Sequence, residues 1–260
     1  MAMAAFDHQR GRTFEHDGAS LYFEELGDQR GEAVILLHGG LGTLADWNPI
    51  LGSLPGRRLI ALDARGHGRS TLGTQPLSYA RLEADVLALA QKLELERFAL
   101  LGFSDGGTVA LRVAASRPGA VTKLAVLGAT YELRESDPLR ARLAGVTPES
   151  WSAKFPETVA TYERLNPAPA FGALIRSAVA MWIDLGPDGQ PGGARVRQLQ
   201  LPVLVARGDD DPLVSRAATI ELVDTLPNAR LLSVPFASHE LHKDQPVIVG
   251  AVVEQFLREG

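Results

Sequence analysis

The sequence predicts an α/β fold in which helices cover both faces of a doubly wound, parallel β-sheet. Short apolar runs that stop at glycine alternate along the chain with segments of helical periodicity. Runs that are apolar on both sides are typical of central parallel strands, because helices bury both faces of such a sheet. The chain has 260 residues, of which 45% are hydrophobic and 22% charged, so it can build one large core.

The predicted strands are short, and most of them are followed by a glycine within two residues. They are residues 13–16, 21–26, 33–37, 58–62, 98–101, 124–127, 203–206 and 231–234. The alternation of these runs with helices favours parallel pairing, because parallel neighbours need a crossover connection.

The helices are predicted from periodicity and from proline. Leu82, Val86, Leu89 and Leu93 are spaced 4, 3 and 4, which places them on one face of a helix over 78–93. Segments 105–116 and 216–226 are each followed by a proline, and 245–258 has the pattern of a final amphipathic helix.

Residues 131–200 interrupt this alternation. The segment has no strand-like run and holds seven of the 16 prolines, with helical fragments at 138–144, 148–155, 157–165 and 170–183. Because a structureless insertion of this length is improbable, we interpret it as a helical cap inserted into a core domain of residues 1–130 and 201–260. The alternative is a set of surface helices remote from any site.

Composition excludes several classes of function. The formal net charge is −5, which argues against a nucleic-acid binder, and the absence of cysteine excludes disulfides and thiolate chemistry. Residues 1–18 have no apolar signal core, and no apolar run reaches the ~18 residues of a membrane span. We therefore expect a soluble, cytoplasmic protein with a small-molecule partner, no membrane association and no bound metal or cofactor. The sequence leaves the oligomeric state open.

The strongest chemical signal is a serine in a glycine-bounded turn. Residues 102–106 read Gly-Phe-Ser-Asp-Gly, a G-x-S-x-G pattern between a predicted strand and a predicted helix. Such a turn exposes the serine at its tip, and its neighbours two positions away must be small to avoid a clash. The pattern predicts Ser104 as a nucleophile.

A serine hydroxyl needs a base, and of the six histidines only His239 and His242 follow Ser104 in the sequence. His239 comes shortly after the last predicted strand, in a loop at the carboxyl end of the sheet, where ligands gather in this class of fold. We assign the base to His239 and keep His242 as the alternative.

A carboxylate must orient that histidine, and three successive aspartates follow the predicted strand 203–206. The spacing G-x-x-D-x-x-V favours Asp211 over Asp209 and Asp210, and Glu132 is a more remote candidate. Acyl transfer also needs donors for a developing oxyanion. The backbone amides of Asp105 and Gly40 are predicted to supply them, with Leu41 as an alternative donor. We expect His38 to brace that loop rather than act as a base.

Together these features resemble the α/β-hydrolase superfamily: Gly39-Gly40 after the third strand, the segment 63–70 (Asp-Ala-Arg-Gly-His-Gly-Arg-Ser), the Ser104 turn, Asp211 and His239. The resemblance covers nearly the whole chain and is weakest in the cap. It implies an eight-stranded, mostly parallel sheet flanked by helices, and a hydrolase that works through an acyl-serine intermediate.

Within the superfamily, the residues around Ser104, Asp211 and His239 resemble the biphenyl-hydrolase-like group, which includes valacyclovir hydrolase. That resemblance implies hydrolysis of α-amino acid esters, with Asp105 binding the substrate ammonium. An acidic residue in the first turn of a helix also suits the helix dipole without contacting substrate. Phe103 departs from the tryptophan associated with the group.

The sequence thus predicts an esterase whose pocket is lined by apolar side chains. Phe103, Trp151 and Trp182 are candidates for that lining, although aromatic residues in helices more often belong to the core. Enol-lactone hydrolysis, carbon–carbon bond hydrolysis, perhydrolysis and a slow-turnover ligand receptor are the alternatives. A dehalogenase or epoxide hydrolase is disfavoured because it needs a carboxylate at position 104, and no His/Asp cluster has metal-ligand spacing.

Overall fold

A computed structural model describes residues 5–259, so the first four residues of the predicted polar start, and Gly260, lie outside the described part of the chain. Its centre is one eight-stranded sheet with the order β1-β2-β4-β3-β5-β6-β7-β8. The strands are β1 (Arg12–His16), β2 (Ala19–Gly27), β3 (Ala33–Leu37), β4 (Arg58–Leu62), β5 (Phe98–Phe103), β6 (Val121–Leu127), β7 (Val203–Gly208) and β8 (Ala229–Val234). Strands β1 and β2, and β2 and β4, pair antiparallel, and every other pairing is parallel.

The helices lie between these strands and, at the carboxyl end of the chain, after β8. They are α1 (Tyr79–Lys92), α2 (Asp105–Ser116), α3 (Pro138–Ala144), α4 (Pro148–Lys154), α5 (Pro156–Leu165), α6 (Phe171–Trp182), α7 (Gly193–Val196), α8 (Arg216–Thr225), α9 (Leu241–Asp244) and α10 (Pro246–Arg258). A 3₁₀ helix, Leu44–Ser53, follows β3.

The sheet separates two apolar cores, and the apolar runs of its central strands follow from that. In β3, Ile35 and Leu37 face the core built with α1 and α2, whereas Val34 and Leu36 face the core built with the 3₁₀ helix and α10. Successive side chains of a strand point to opposite faces, so a strand buried on both faces must be apolar at every position. This is the pattern that predicted the parallel sheet.

The predicted eight strands and mostly parallel sheet are confirmed, with differences at the ends of elements. Strands β5 and β7 extend two residues further than predicted, to Phe103 and Gly208. The 3₁₀ helix Leu44–Ser53 was not predicted, because Pro49 lies inside it. A capping box between Thr43 and Asp46 starts that helix.

The inserted segment, residues 131–200, contains α3 to α7 and no strand. Helix α6 contributes six buried residues and joins the core that also holds α1 and α2, whereas α3 and α4 have none. The side-chain amide of Asn166 donates to the backbone oxygens of Gly68, at 3.1 Å, and Ser70, at 2.9 Å. The inserted segment therefore contacts the loop that follows β4. That residues 131–200 form a cap domain separate from the core remains a prediction.

Within residues 5–259, no helix combines the length and apolar character that crossing a bilayer requires.

Candidate active site

Ser104 occupies a tight turn between β5 and α2. Its backbone has φ 51° and ψ −117°, a conformation that non-glycine residues seldom adopt. A Cβ atom on Gly102 would lie 2.3 Å from the backbone oxygen of Gly106, and one on Gly106 would lie 2.1 Å from that of Leu37. The turn therefore requires glycine at both positions of the pattern that singled out Ser104.

The structure brings Ser104, His239 and Asp211 together in one hydrogen-bonded chain. His239 Nε2 lies 3.0 Å from Ser104 Oγ, and His239 Nδ1 lies 2.9 Å from Asp211 Oδ2. Because a carboxylate only accepts, Nδ1–H donates to Asp211, which leaves Nε2 of the neutral imidazole to accept from the serine hydroxyl. The geometry is that of a nucleophile, a base and an orienting carboxylate.

The Asp211 carboxylate is held on both sides. Its side chain has no exposed surface, Oδ2 faces His239, and Oδ1 accepts from the amides of Leu213 at 2.8 Å and Val214 at 3.0 Å. Burial alone would raise the pKa of Asp211, but the hydrogen bonds from His239 and the two amides outweigh it, so that pKa lies below its usual value. Asp211 therefore stays ionised.

The alternative carboxylates lie elsewhere. Asp209 and Asp210 are exposed, and Asp209 bonds Ser233 rather than His239. Glu132 forms an ion pair with Arg134, 3.0 Å away. Of the aspartates and the glutamate considered from the sequence, the structure places only Asp211 against the imidazole of His239.

His242, the alternative base, lies in the core beside the site. It is fully buried, with its ring centre 5.0 Å from that of Trp47 and 4.7 Å from that of Phe103. Burial lowers its pKa to about 4, and neither ring nitrogen bonds any group in the described part of the chain. His242 is therefore a neutral aromatic ring that does not contact Ser104.

The loop after β3 lies against the Ser104 turn because β3 and β5 are neighbours in the sheet. A Cβ atom on Gly39 would lie 3.2 Å from Ser104 Cβ, so the backbone passes very close to the serine. Among residues 5–259, the amides of Gly40 and Leu41 have no hydrogen-bond acceptor. These free donors beside Ser104 suit an oxyanion site. His38 braces the loop, because Nδ1 bonds the backbone oxygen of Gly39 at 2.7 Å and Nε2 accepts from the amide of Ala64 at 2.9 Å.

Asp105 presents its backbone amide at the start of α2 and its side chain to two aromatic donors. Oδ1 accepts from the Tyr79 hydroxyl at 2.7 Å, and Oδ2 accepts from Trp182 Nε1–H at 2.7 Å. Burial raises the pKa of Asp105, while the two hydrogen bonds act in the opposite direction. Sequence analysis missed Tyr79, since no motif contains it.

The three aromatic residues predicted to line a pocket occupy different environments. Phe103 is 5% exposed, and its ring centre lies 5.0 Å from that of His239, so it packs behind the imidazole. Trp182 hydrogen-bonds Asp105 directly. Trp151 packs near Trp182, with 6.5 Å between the two ring centres. Trp182 and Trp151 remain candidates for substrate contact, whereas Phe103 is mainly a packing residue.

No three His, Asp or Glu side chains of the described chain are grouped so that they could hold a metal ion.

Comparison with known proteins identifies the family. The chain is 30% identical to the mouse (Mus musculus) serine hydrolase BPHL over 256 residues, which is 93% of this chain and 84% of that protein. It is 29% identical to a putative 2-succinyl-6-hydroxy-2,4-cyclohexadiene-1-carboxylate synthase of Bacillus subtilis, over 93% of this chain and 96% of that protein. The fold matches the enol-lactonase of Burkholderia xenovorans LB400 with a TM-score of 0.77 at 21% identity, covering 95% of this chain and 100% of that one. A family model described as the alpha/beta hydrolase fold matches residues 32–181, more than half of the chain, and the protein therefore belongs to the α/β-hydrolase family.

Proposed function

We propose that this hydrolase cleaves carboxylic esters, or a related activated acyl bond, of a small to medium substrate through an acyl-serine intermediate. The observation that carries the proposal is the position of His239, whose two ring nitrogens lie 3.0 Å from Ser104 Oγ and 2.9 Å from Asp211 Oδ2. A serine hydroxyl becomes a useful nucleophile when a base of this kind accepts its proton.

In the proposed first half-reaction, Ser104 Oγ attacks the substrate carbonyl carbon while its proton passes to His239 Nε2. Asp211 keeps Nδ1 protonated and stabilises the imidazolium. The amides of Gly40 and Asp105, with Leu41 as the alternative to Gly40, donate to the tetrahedral oxyanion. The carbon–oxygen bond to the alcohol then breaks, and the leaving alkoxide takes the proton from His239.

In the second half-reaction, a water molecule attacks the acyl-serine carbonyl. His239 accepts the proton of that water and returns it to Ser104 Oγ as the acid departs. Both half-reactions need only substrate and water, so we propose that turnover requires no cofactor. We also propose, as a separate expectation from the sequence, that the protein is cytoplasmic.

We further propose that residues 131–200 form a cap that shapes the substrate pocket. The support is that Trp182 of α6 contacts the residue after the nucleophile, and that Trp151 of α4 lies against Trp182. Aromatic walls of this kind suit an apolar acyl or alcohol group.

A second candidate is hydrolysis of α-amino acid esters, with the Asp105 carboxylate pairing with the substrate ammonium. Asp105 is half-buried and adjacent to Ser104 in the chain, and a carboxylate oxygen can accept more than one donor. The competing interpretation is that Tyr79 and Trp182 already satisfy it.

The deciding experiment is active-site labelling with a fluorophosphonate, followed by peptide mapping and a substrate panel. We expect the label on Ser104, loss of labelling in Ser104→Ala, and multiple turnovers of p-nitrophenyl esters. Labelling at another residue, or undiminished ester turnover by Ser104→Ala, would reject the proposal.

The panel decides between ester hydrolysis and its rivals. It contains matched neutral and α-amino esters, enol-lactones, vinylogous diketones and a peracid assay. Faster turnover of lactone or diketone than of any ester would replace ester hydrolysis with that chemistry. One acyl-enzyme burst without a steady state would indicate a receptor.

A further inference from the structure

The Asp105 carboxylate connects the turn at Ser104 with helices α1 and α6. The residue begins α2 directly after Ser104, and its two oxygens accept from Tyr79 of α1 and Trp182 of α6, each at 2.7 Å. Tyr79 is 3% exposed and Trp182 is 6% exposed, so both donors approach Asp105 from a packed interior. Asp105 thus hydrogen-bonds the inserted segment to the catalytic turn.

The same two groups confine the proposed oxyanion loop. A Cβ atom on Gly40 would lie 2.4 Å from Asp105 Oδ2 and 3.0 Å from Trp182 Cζ2. The backbone of Gly40 therefore rests against the carboxylate and the indole ring at their point of hydrogen bonding. A shift of Trp182 would remove one wall behind the donor amide of Gly40.

The hydrogen bonds also have an electrostatic effect on that loop. A carboxylate beside an oxyanion would oppose the negative charge that develops in the transition state. Tyr79 and Trp182 each place a positively polarised hydrogen against the carboxylate, which partly offsets its negative charge at the loop. The arrangement therefore allows an acidic residue to stand next to an oxyanion site.

We propose that Asp105 is a positioning residue, which latches the inserted segment to the nucleophile turn through Trp182 and thereby holds Gly40 in place as an oxyanion donor. The kinetic consequence of this latch rests on the proposed function; the hydrogen bond itself does not.

Other contacts hold the inserted segment to the core without reaching the nucleophile. The Ser177 hydroxyl oxygen, on α6, accepts from the amide of Leu77 at 3.0 Å. Ser177→Ala therefore removes one hydrogen bond between the same helix and the core and leaves Asp105 untouched. It is the matched control for the latch.

The first test observes the Trp182 indole proton directly by NMR. The chain has three tryptophans, and the indole nitrogens of Trp47 and Trp151 have no partner among residues 5–259, so they serve as internal references. Trp182→Phe identifies the Trp182 signal. We expect Asp105→Ala to shift that signal and to accelerate its exchange with solvent by about tenfold or more, while Ser177→Ala leaves it unchanged.

The outcomes of this test are distinct. An unchanged Trp182 signal in Asp105→Ala would overturn the latch. Displacement of all three indole signals would indicate unfolding, in which case the wild-type protein gives the decision. A hydrogen-bonded Trp182 indole proton should resonate downfield of the unpartnered indole protons of Trp47 and Trp151, and a position upfield of both would overturn the latch.

The second test separates kcat from KM on a neutral p-nitrophenyl ester. Because the latch acts on an oxyanion donor, Trp182→Phe and Asp105→Ala should lower kcat by about tenfold with KM changed by less than about twofold. Asp105→Asn should recover most of the loss seen with Ala, since its amide oxygen accepts from Trp182 and its N–H₂ donates to Tyr79. Ser177→Ala should keep the kcat of the wild type.

Charge pairing with substrate makes a different prediction for the same variants. If Asp105 served only to bind an ammonium, Asp105→Asn would raise KM for the α-amino ester alone, and Asp105→Ala would leave kcat for the neutral ester unaffected. That result would overturn the latch. A wild-type protein that hydrolyses no panel substrate would reject the proposed function. The Trp182 indole signal would still show whether Trp182 donates a hydrogen bond to Asp105.

Discussion

The ring of Phe103 packs against two imidazoles, with its centre 5.0 Å from that of His239 and 4.7 Å from that of His242. The residue before Ser104 thus packs against both the proposed base and a buried, neutral histidine. Two histidines three positions apart therefore have different chemistry, because one contacts Ser104 and the other lies in the apolar core.

This arrangement predicts opposite outcomes for two histidine substitutions. His239→Ala should lower kcat by about 10³-fold or more, because Ser104 loses its proton acceptor. His242→Phe should keep kcat within about fivefold, because phenylalanine retains an aromatic ring between Trp47 and Phe103. Steady-state kinetics on one p-nitrophenyl ester measures both, and a larger loss in His242→Phe would transfer the base to His242.

Stability should fall in mild acid because two histidines are buried in the neutral form. Burial lowers the pKa of His67 and of His242 to about 4, from the ordinary histidine value of 6.5. Below pH 6.5 the unfolded chain binds protons that the folded chain does not, so the free energy of unfolding falls from pH 6.5 to about pH 4. Each histidine contributes a loss on the order of 3 kcal/mol at the lower end of this range.

Urea unfolding of the wild type and of His242→Phe at pH 7 and pH 4.5 measures this effect. The variant should lose less stability between the two pH values, because it removes one of the two groups. Equal losses in both proteins would show that His242 does not bind its proton on unfolding.

Removal of the charge on Asp211 should impair catalysis without disrupting the fold. Asp211→Asn can present an N–H to His239 and favour the wrong tautomer, so kcat should fall by about 10⁴-fold. The neighbouring Asp210 is exposed, and Asp210→Asn should change kcat by less than about twofold. Comparable losses in both variants would contradict the assignment of the orienting carboxylate.

Gly106, two positions after the proposed nucleophile, should tolerate no side chain. A Cβ atom on Gly106 would lie 2.1 Å from the backbone oxygen of Leu37, so Gly106→Ala should cost about 3 kcal/mol or more of the free energy of unfolding. Gly145 has an αR backbone, and its nearest neighbour would be 3.6 Å away, so Gly145→Ala serves as the control. Thermal unfolding of both variants provides the comparison, and equal melting temperatures would contradict the close contact.

The sheet and the grouping of Ser104, His239 and Asp211 were predictable because each follows from a recognisable sequence pattern. Strands such as β3 are apolar throughout since both faces are buried, and the turn at Ser104 requires glycine at fixed spacing. The assignments of His239 and Asp211 followed from chain order and from the loops that follow their strands. Their contacts agree with those assignments, while their catalytic roles remain predictions.

The contacts of Asp105 could not be predicted in the same way. Tyr79 lies 26 positions before it and Trp182 77 positions after it, and no spacing rule links either residue to the turn. They meet only because α1 and α6 pack into the same core. The 3₁₀ helix after β3 was not predicted, because Pro49 lies inside it and proline usually interrupts a helix.

The left-handed backbone of Ser104 has a consequence for protein engineering. A serine at φ 51° carries strain of about 1–3 kcal/mol, which a glycine would relieve. Selection for thermal stability alone would therefore favour replacement of Ser104, the proposed nucleophile, by glycine. If Ser104 is the nucleophile as proposed, the most stable residue at position 104 is an inactive one, so a search for heat-stable variants should measure turnover at every round.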